Sequence, residues 1–169
     1  THNKWTVVQD GRIAGFVTAP VGETFALLKQ HSTLAAGGGS MVDGSAEGFA
    51  RGLARIAEHG AARLTHLMFE TRARQLLDAM SPADAMGFLS GLLVGADVAA
   101  ARDWFGPMHA ATVIGDGALA TLYVQALAAD LSRQYSPKTA RTTLETLRAA
   151  LRWAQSADMI ARNPAEPVS

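Results

Sequence analysis

The sequence predicts a mixed α/β fold, and three observations lead to this prediction. Two short runs rich in β-branched and aromatic residues surround an Asp-Gly pair near the start of the chain. Segments with apolar residues at helical spacing follow, up to about residue 110. A short apolar run, Thr112–Ile114, then leads through glycines into a further helix. A hairpin, a set of helices and a strand–turn–helix unit favour packed α/β layers over a pure helical bundle.

The first element is predicted to be a β-hairpin. Its strands are Lys4–Val8 and Arg12–Thr18, and Asp10-Gly11 between them is a strong signal for a tight hairpin turn. Pro20 ends the second strand because it has no N–H to donate to a ladder. A helix with an early carboxylate, Glu23, follows, since its apolar residues recur at helical spacing. Residues 35–44, rich in glycine, are predicted to form a surface loop.

The middle of the chain predicts further helices. Ser45 is suited to cap one of them, and Ser81-Pro82 is a typical start for another. In that second helix the glycines at 87, 91 and 95 repeat every four residues, although each costs about 1 kcal/mol relative to alanine. Such a row lets another helix, or a flat ligand, approach the backbone closely. We expect a helix–helix contact.

Composition limits the possible functions. The 169 residues suit one domain, or one domain with an appended piece, and 15 basic against 15 acidic residues give no net attraction to nucleic acid. Without cysteine the chain has no disulfide or thiolate site, which is compatible with a cytoplasmic location. No uninterrupted apolar run approaches the ~20 residues of a membrane span, so no membrane partner is predicted. The absence of an initiator methionine indicates a chain truncated at its start.

The turn before the last predicted helix is a candidate ligand site. Gly115, Asp116 and Gly117 separate the apolar run from the helix, so that unpaired N–H groups at the helix start could hold a phosphate. The alternative is a plain connecting turn, because a short Gly-x-Gly is a weak motif. The five histidines lack the spacing of metal ligands, and no metal site is predicted. Glu70, with Arg72 and Arg74, is predicted to form a surface ion-pair set rather than a substrate clamp.

Five blocks of the sequence, in order, resemble one family of sugar-acid kinases. They are Thr1-His2-Asn3-Lys4-Trp5, Gly22-Glu23-x-Phe25-x-Leu27-Leu28-x-x-His31-Ser32-x-Leu34, Phe69-x-x-Arg72-x-Arg74-x-Leu76, Phe88-Leu89-Ser90-Gly91-Leu92-Leu93-Val94-Gly95, and Ile114-Gly115-x-x-x-Leu119-x-x-x-Tyr123-x-x-Ala126-Leu127. Over residues 1–128 the chain is similar to the C-terminal half of the 2-dehydro-3-deoxygalactonokinase family. That family usually has Ser where this chain has Asn3, a small polar exchange.

The resemblance implies a fold and an activity. The fold is the C-terminal domain of an actin- and hexokinase-like kinase, and the reaction is transfer of the ATP γ-phosphoryl group to 2-dehydro-3-deoxy-galactonate with Mg²⁺. In such kinases the Thr at the start of the hairpin faces the nucleotide phosphates, which implicates Thr1, with His2 as a nearby donor. Gly115, Asp116 and Gly117 would lie on the adenosine side. The general base and the metal-positioning acid come from the family's N-terminal half, so we assign no catalytic residue here and expect the chain alone to be inactive.

The last part of the chain follows another pattern. We divide the chain into a kinase-like α/β domain, residues 1–130, and a helical tail, residues 131–169. The tail, with Ser136-Pro137-Lys138-Thr139 and Ile160-Ala161-Arg162-Asn163-Pro164, resembles the core-binding domain of phage integrases and tyrosine recombinases. Six basic residues against two acidic ones between residues 132 and 163 would suit DNA phosphates. The alternatives to a kinase are therefore a DNA-binding module and a truncated or fused reading frame without selected function.

Overall fold

The structure, a computed structural model, describes residues 2–35, 43–77, 80–108, 110–115 and 117–134. Its elements are β1 (Asn3–Gln9), β2 (Arg12–Ala19), α1 (Val21–His31), α2 (Ala46–His59), α3 (Leu64–Leu77), α4 (Pro82–Phe105) and α5 (Gly117–Gln134), with single 3-10 turns at Thr33–Ala35 and Ala61–Arg63. The chain divides into two compact units, residues 1–105 and residues 106–169. The predicted tail beyond residue 134 and most of the predicted loop at 35–44 lie outside the described residues, and the boundary predicted near residue 130 stays a prediction.

The predicted hairpin is confirmed. β1 and β2 pair antiparallel from Asn3↔Ala19 at the open end to Gln9↔Arg12 at the turn, with one irregularity between Val7 and Val8. Asp10 and Gly11 form the two-residue connection with φ of 51° and 72°. Positive φ at both central residues is what a type I′ turn requires, and this turn matches the right-handed twist of the strands.

Helix α4 is the centre of the first unit. Thirteen of its residues are buried, and α2 and α3 both pack against it. The core cluster joins α2 and α3 to α4 and consists of Ile56, Leu67, Phe88, Leu92 and Ala96. By length and hydropathy α4 could also span a membrane, contrary to our estimate from uninterrupted apolar runs, but 67% of its apolar stretch is buried inside the protein. This burial makes α4 a core helix of the fold.

The glycine row of α4 lies against α2, as predicted. A Cβ placed on Gly91 would fall within 3.1 Å of the Phe49 backbone and of Gly52 Cα, and one on Gly52 would meet the backbone of α4 just as closely. Gly48 and Gly87 make the same kind of backbone contact one turn earlier. The absent side chains allow the two helices to cross backbone against backbone. Helix–helix contact is therefore the use of this row.

The predicted strand before α5 is wrong. Residues 110–114 have no strand pairing in the described part of the chain, and Ile114 is 67% exposed. The helix that was predicted to follow is present as α5. An apolar run of three residues becomes a strand only where a neighbouring strand offers its backbone groups, and the sheet that the structure describes is the two-stranded hairpin alone. The fold class remains mixed α/β, mostly helical with one small hairpin.

Candidate functional site

The open end of the hairpin is tied to helix α4 by one carboxylate. Asn3 Nδ2 donates to Asp97 Oδ2 at 2.7 Å, and Trp5 Nε1 donates to the same oxygen at 2.8 Å. Asn3 and Trp5 are two positions apart, so that both side chains leave β1 on the face that meets α4. Hydrogen bonds to an ionised acceptor are stronger than those between neutral groups. The first strand is thus fixed at the end that the resemblance assigns to the nucleotide.

His2 lies next to this anchored segment and has a carboxylate partner. Its Nε2 is 3.0 Å from Glu23 Oε2 in the first turn of α1, and both side chains are 53% exposed. The imidazole therefore lies at the surface, where a ligand can reach it. Thr1, the other residue assigned to the phosphate side, lies outside the described residues.

The glycines assigned to the adenosine side belong to the second unit. Gly115 and Gly117 are exposed, and a Cβ on either would meet no atom within 4 Å. Gly117 is the first residue of α5, a helix of 18 residues, so the first turn of that helix starts at this glycine. Asp116 lies outside the described residues. No neighbouring group and no positive φ requires glycine at 115 or 117, in contrast to the glycines between α2 and α4.

Glu70 joins α2 and α3 through a network of ion pairs. Its Oε2 accepts from Arg55 Nε at 3.1 Å and Nη2 at 3.0 Å, and its Oε1 accepts from Arg74 Nε at 2.8 Å. Burial raises the pKa of Glu70, but the hydrogen bonds from Arg74 and Arg55 outweigh it and lower the pKa overall. The predicted ion pair between Glu70 and Arg74 is present, but the Glu70 side chain is only 18% exposed and its second partner is Arg55. The role of this network is structural, since its charged side chains pair with one another.

Three of the sequence blocks that resemble the kinase family make contacts that hold the fold together. Ser32 Oγ accepts from Leu34 N at 3.1 Å, and the Leu34 carbonyl accepts from Gln75 Nε2 at 2.7 Å. The His-Ser-x-Leu block therefore ends α1 and attaches it to α3. The Asn-Lys-Trp block supplies the contacts to Asp97, and the glycine-rich block supplies the α2–α4 crossing.

Sequence reasoning missed two residues of these networks, Asp97 and Arg55. Asp97 had a visible signal, because it is the one charged residue between Asp84 and Arg102 in the sequence. A lone carboxylate in an apolar helix requires hydrogen-bond donors, and that requirement could have been recognised. Arg55 had no such signal, since its pairing with Glu70 depends on how α2 and α3 pack.

The part of the chain that the structure describes contains no cluster of side chains suited to bind a metal ion. No group of three or more His, Asp or Glu side chains comes together there. A Mg²⁺ ion prefers several oxygen ligands in octahedral geometry. The described residues therefore do not fit a metal site held by this chain, and we derive no step through one.

The chain is similar to known sugar-acid kinases. A curated relative from Rhizobium meliloti (strain 1021), named "Probable 2-dehydro-3-deoxygalactonokinase DgoK1", is 38% identical over 133 residues, which cover 75% of this chain and 42% of the relative. The 2-dehydro-3-deoxygalactonokinase of Escherichia coli (strain K12) is 36% identical over 129 residues, covering 76% of this chain and 43% of the relative. A crystal structure from Sinorhizobium meliloti, solved under the name of a 2-dehydro-3-deoxygalactonokinase, matches with a TM-score of 0.68 at 33% identity over 76% of this chain and 42% of that one.

The family follows from a match over most of the sequence. The sequence model of the 2-keto-3-deoxy-galactonokinase family matches residues 1–150, and the chain belongs to this family. The match continues past residue 130, where we expected the kinase-like pattern to stop. The chain spans 42–43% of the length of the curated relatives that it matches.

Proposed function

We propose that this chain is the C-terminal part of an ATP-dependent kinase that phosphorylates 2-dehydro-3-deoxy-galactonate, and that it supplies one side of the nucleotide site. The observation that carries the proposal is the family match over residues 1–150. The cytoplasm is the corresponding location, since both proposed substrates are soluble metabolites. The chain alone is proposed to bind nucleotide weakly and to lack activity.

The proposed contacts are the residues that the family resemblance implies. Thr1 and His2 would meet the phosphates, as the family resemblance implies, and in the sequence they directly precede the segment of β1 that Asp97 anchors. Gly115, Asp116 and Gly117 would meet the adenosine at the start of α5. A Cβ at Gly115 or Gly117 would meet no atom within 4 Å, so a ligand could approach the backbone there.

The reaction requires more than these groups. An oxygen of the sugar acid forms a bond to the γ-phosphorus, the bond from that phosphorus to the β-phosphate oxygen breaks, and the hydroxyl proton passes to a base. Charge on the transferring group must be neutralised from both sides of the nucleotide, and Mg²⁺ supplies part of that neutralisation in kinases. The described residues of this chain contribute binding and orientation. The base and the metal-positioning acid are assigned to the rest of the family's length.

Titration with ATP tests the proposal. In ¹H–¹⁵N spectra of the full chain, ATP at millimolar concentration is expected to shift the amide signals of His2, Gly115 and Gly117 in a saturable way. Gly115→Ala and Gly117→Ala are expected to weaken binding several-fold while leaving the melting temperature within a few degrees, because the added methyl groups enter open space. Gly15→Ala is the matched control, since its Cβ would meet only Phe105 at 3.9 Å. Spectra that stay unchanged at millimolar ATP would contradict the nucleotide site.

A further inference from the structure

The carboxylate of Asp97 is placed at the weakest point of the hairpin. A two-stranded hairpin is only marginally stable in water, and its open end frays first. The turn at Asp10 and Gly11 fixes one end of this hairpin, whereas Asn3↔Ala19 is the last pair at the other. Asp97 accepts hydrogen bonds from two side chains in this last stretch of β1. It therefore restrains the end that no turn restrains.

The setting of Asp97 makes the contact specific. Its neighbours Ala96 and Val98 are buried at 6% and 2% exposure, and Asp97 itself is half-buried. A carboxylate in such surroundings costs free energy unless donors compensate its lost hydration. Asn3 and Trp5 provide two donors, and both point at the same oxygen. The pair can form only when β1 lies on α4 in one orientation.

The consequence concerns the residues just before the anchor. His2 adjoins Asn3 in the chain, and Thr1 lies one residue further, so that the proposed phosphate contacts directly precede the anchored strand. One residue spans at most about 3.6 Å, so the position of His2 depends on where Asn3 is held.

We propose that Asp97 is a positioning residue for nucleotide: by holding Asn3 and Trp5 it orients the start of β1 so that His2 faces the phosphates. This inference rests on the proposed function, which it deepens by naming a residue that touches no ligand. The residue acts through the strand, and it has no part in the bond-making chemistry.

The test combines three variants of the full chain with two measurements. Asp97→Ala removes the acceptor, and Asp97→Asn keeps an acceptor oxygen without the charge. The double variant Asn3→Asp with Asp97→Asn exchanges donor and acceptor, so that the amide introduced in α4 can donate to the carboxylate introduced in β1 and accept from Trp5. The Trp5 indole N–H signal reports the contact with Asp97. The ATP-dependent shift of the His2 amide signal reports the effect of that contact on nucleotide binding. Asp103→Asn, the same change at a 74% exposed carboxylate of α4, is the matched control.

In Asp97→Ala the indole signal is expected to move to the position of an exposed tryptophan, because Asn3 and Trp5 both lose their acceptor. The dissociation constant for ATP is expected to rise about tenfold, since the start of β1 is no longer held in place. The Asp97→Asn variant should fall between this result and the wild type, and the exchange variant should recover part of the affinity. Asp103→Asn should change neither signal. Unchanged helix content in all variants would show that the α2–α4 core is intact.

Two different failures can be told apart. If Asp97→Ala displaces the Trp5 signal while the affinity for ATP stays at the wild-type value, Asp97 only holds the hairpin, and the positioning role is overturned while the proposed function stands. If the wild-type chain itself shows no shift with millimolar ATP, the proposed function fails, and the positioning role fails with it. A Trp5 signal that does not move in Asp97→Ala would show that the contact does not form in solution, which also overturns the inference.

Discussion

At the scale of single residues, two carboxylates connect helices that are distant in sequence. Glu70 joins Arg55 and Arg74, and Asp84 accepts from Ser45 Oγ at 2.5 Å while Arg51 lies 3.3 Å from its other oxygen. The hydrogen bond from Ser45, followed by the one from Ser81, lowers the pKa of Asp84. Ser45 in turn caps α2 by accepting from Gly48 N. Both carboxylates therefore stabilise the fold in their ionised form.

Replacement of Glu70 by Gln is expected to lower the free energy of unfolding at pH 7 by about 1–2 kcal/mol, because the two guanidinium groups lose their shared acceptor charge. This value is discounted for solvent screening, since the Arg74 side chain is 37% exposed. Urea unfolding followed by circular dichroism measures the difference. Glu58→Gln is the matched control, because Glu58 also pairs with Arg55 but is 61% exposed. An equal loss in both variants would contradict a special role for Glu70.

Acid is expected to remove this stabilisation. The pKa of Glu70 is lower in the folded chain than in the unfolded one, so that its contribution is fully present above the unfolded value of about 4.3 and is lost as the pH falls through the folded value. Asp84 acts in the same direction. The difference in stability between wild type and Glu70→Gln should therefore shrink below about pH 4. Unfolding curves at pH 7, 5, 4 and 3 give the profile, and a difference independent of pH would contradict the ion-pair explanation.

At the scale of elements, the crossing of α2 and α4 organises the first unit. Glycines from both helices line the contact, and a Cβ on most of them would meet backbone atoms of the other helix. Backbone cannot move aside as a side chain can, so that these positions admit no larger residue. Gly95 differs, because its nearest neighbour is Leu53 Cδ2 at 3.1 Å, the end of a flexible side chain.

The difference between Gly91 and Gly95 can be measured. Gly91→Ala should destabilise the chain by about 1–3 kcal/mol through overpacking, in spite of the better helix propensity of alanine. Gly95→Ala should change stability by less than about 1 kcal/mol, since Leu53 can adjust and the propensity gain offsets the remaining strain. Thermal unfolding of the two variants beside the wild type provides the comparison. Equal melting temperatures for both variants would mean that the helices cross less closely than the structure shows.

At the scale of the whole molecule, the chain corresponds to less than half of the length of its curated relatives. The chain belongs to a kinase family, yet it spans 42–43% of the length of the curated relatives. Phosphoryl transfer depends on groups placed on both sides of the nucleotide. In line with the proposed function, we expect weak nucleotide binding and no turnover from this chain by itself.

The predicted DNA-binding role of the tail has a separate test. The six basic residues between positions 132 and 163 would give a slope of log K against log salt of about −5 if all of them contacted duplex phosphates. Fluorescence anisotropy with a labelled duplex at several salt concentrations measures this slope. The chain ending at residue 134 is the matched control and should show no such dependence. A slope near zero for the full chain would exclude the tail as a DNA-binding module.

Sequence alone determined the elements whose causes are local. The turn at Asp10 and Gly11, the cap at Ser45 and the glycine row of α4 were predicted, because turn geometry, capping and helical period depend on residues close in the chain. The resemblance in five ordered blocks likewise gave the family. Nothing local could show that the run before α5 has no strand partner, since strand formation depends on backbone groups supplied by another segment.

Tertiary structure alone decided which distant groups meet. Asp97 reaches Asn3 and Trp5 across more than ninety residues of sequence, and Arg55 reaches Glu70 from a different helix. These contacts depend on how the helices pack against one another and against the hairpin, and that packing is fixed by the summed burial of many side chains. A carboxylate in the sequence shows that donors are needed; the fold decides which donors arrive.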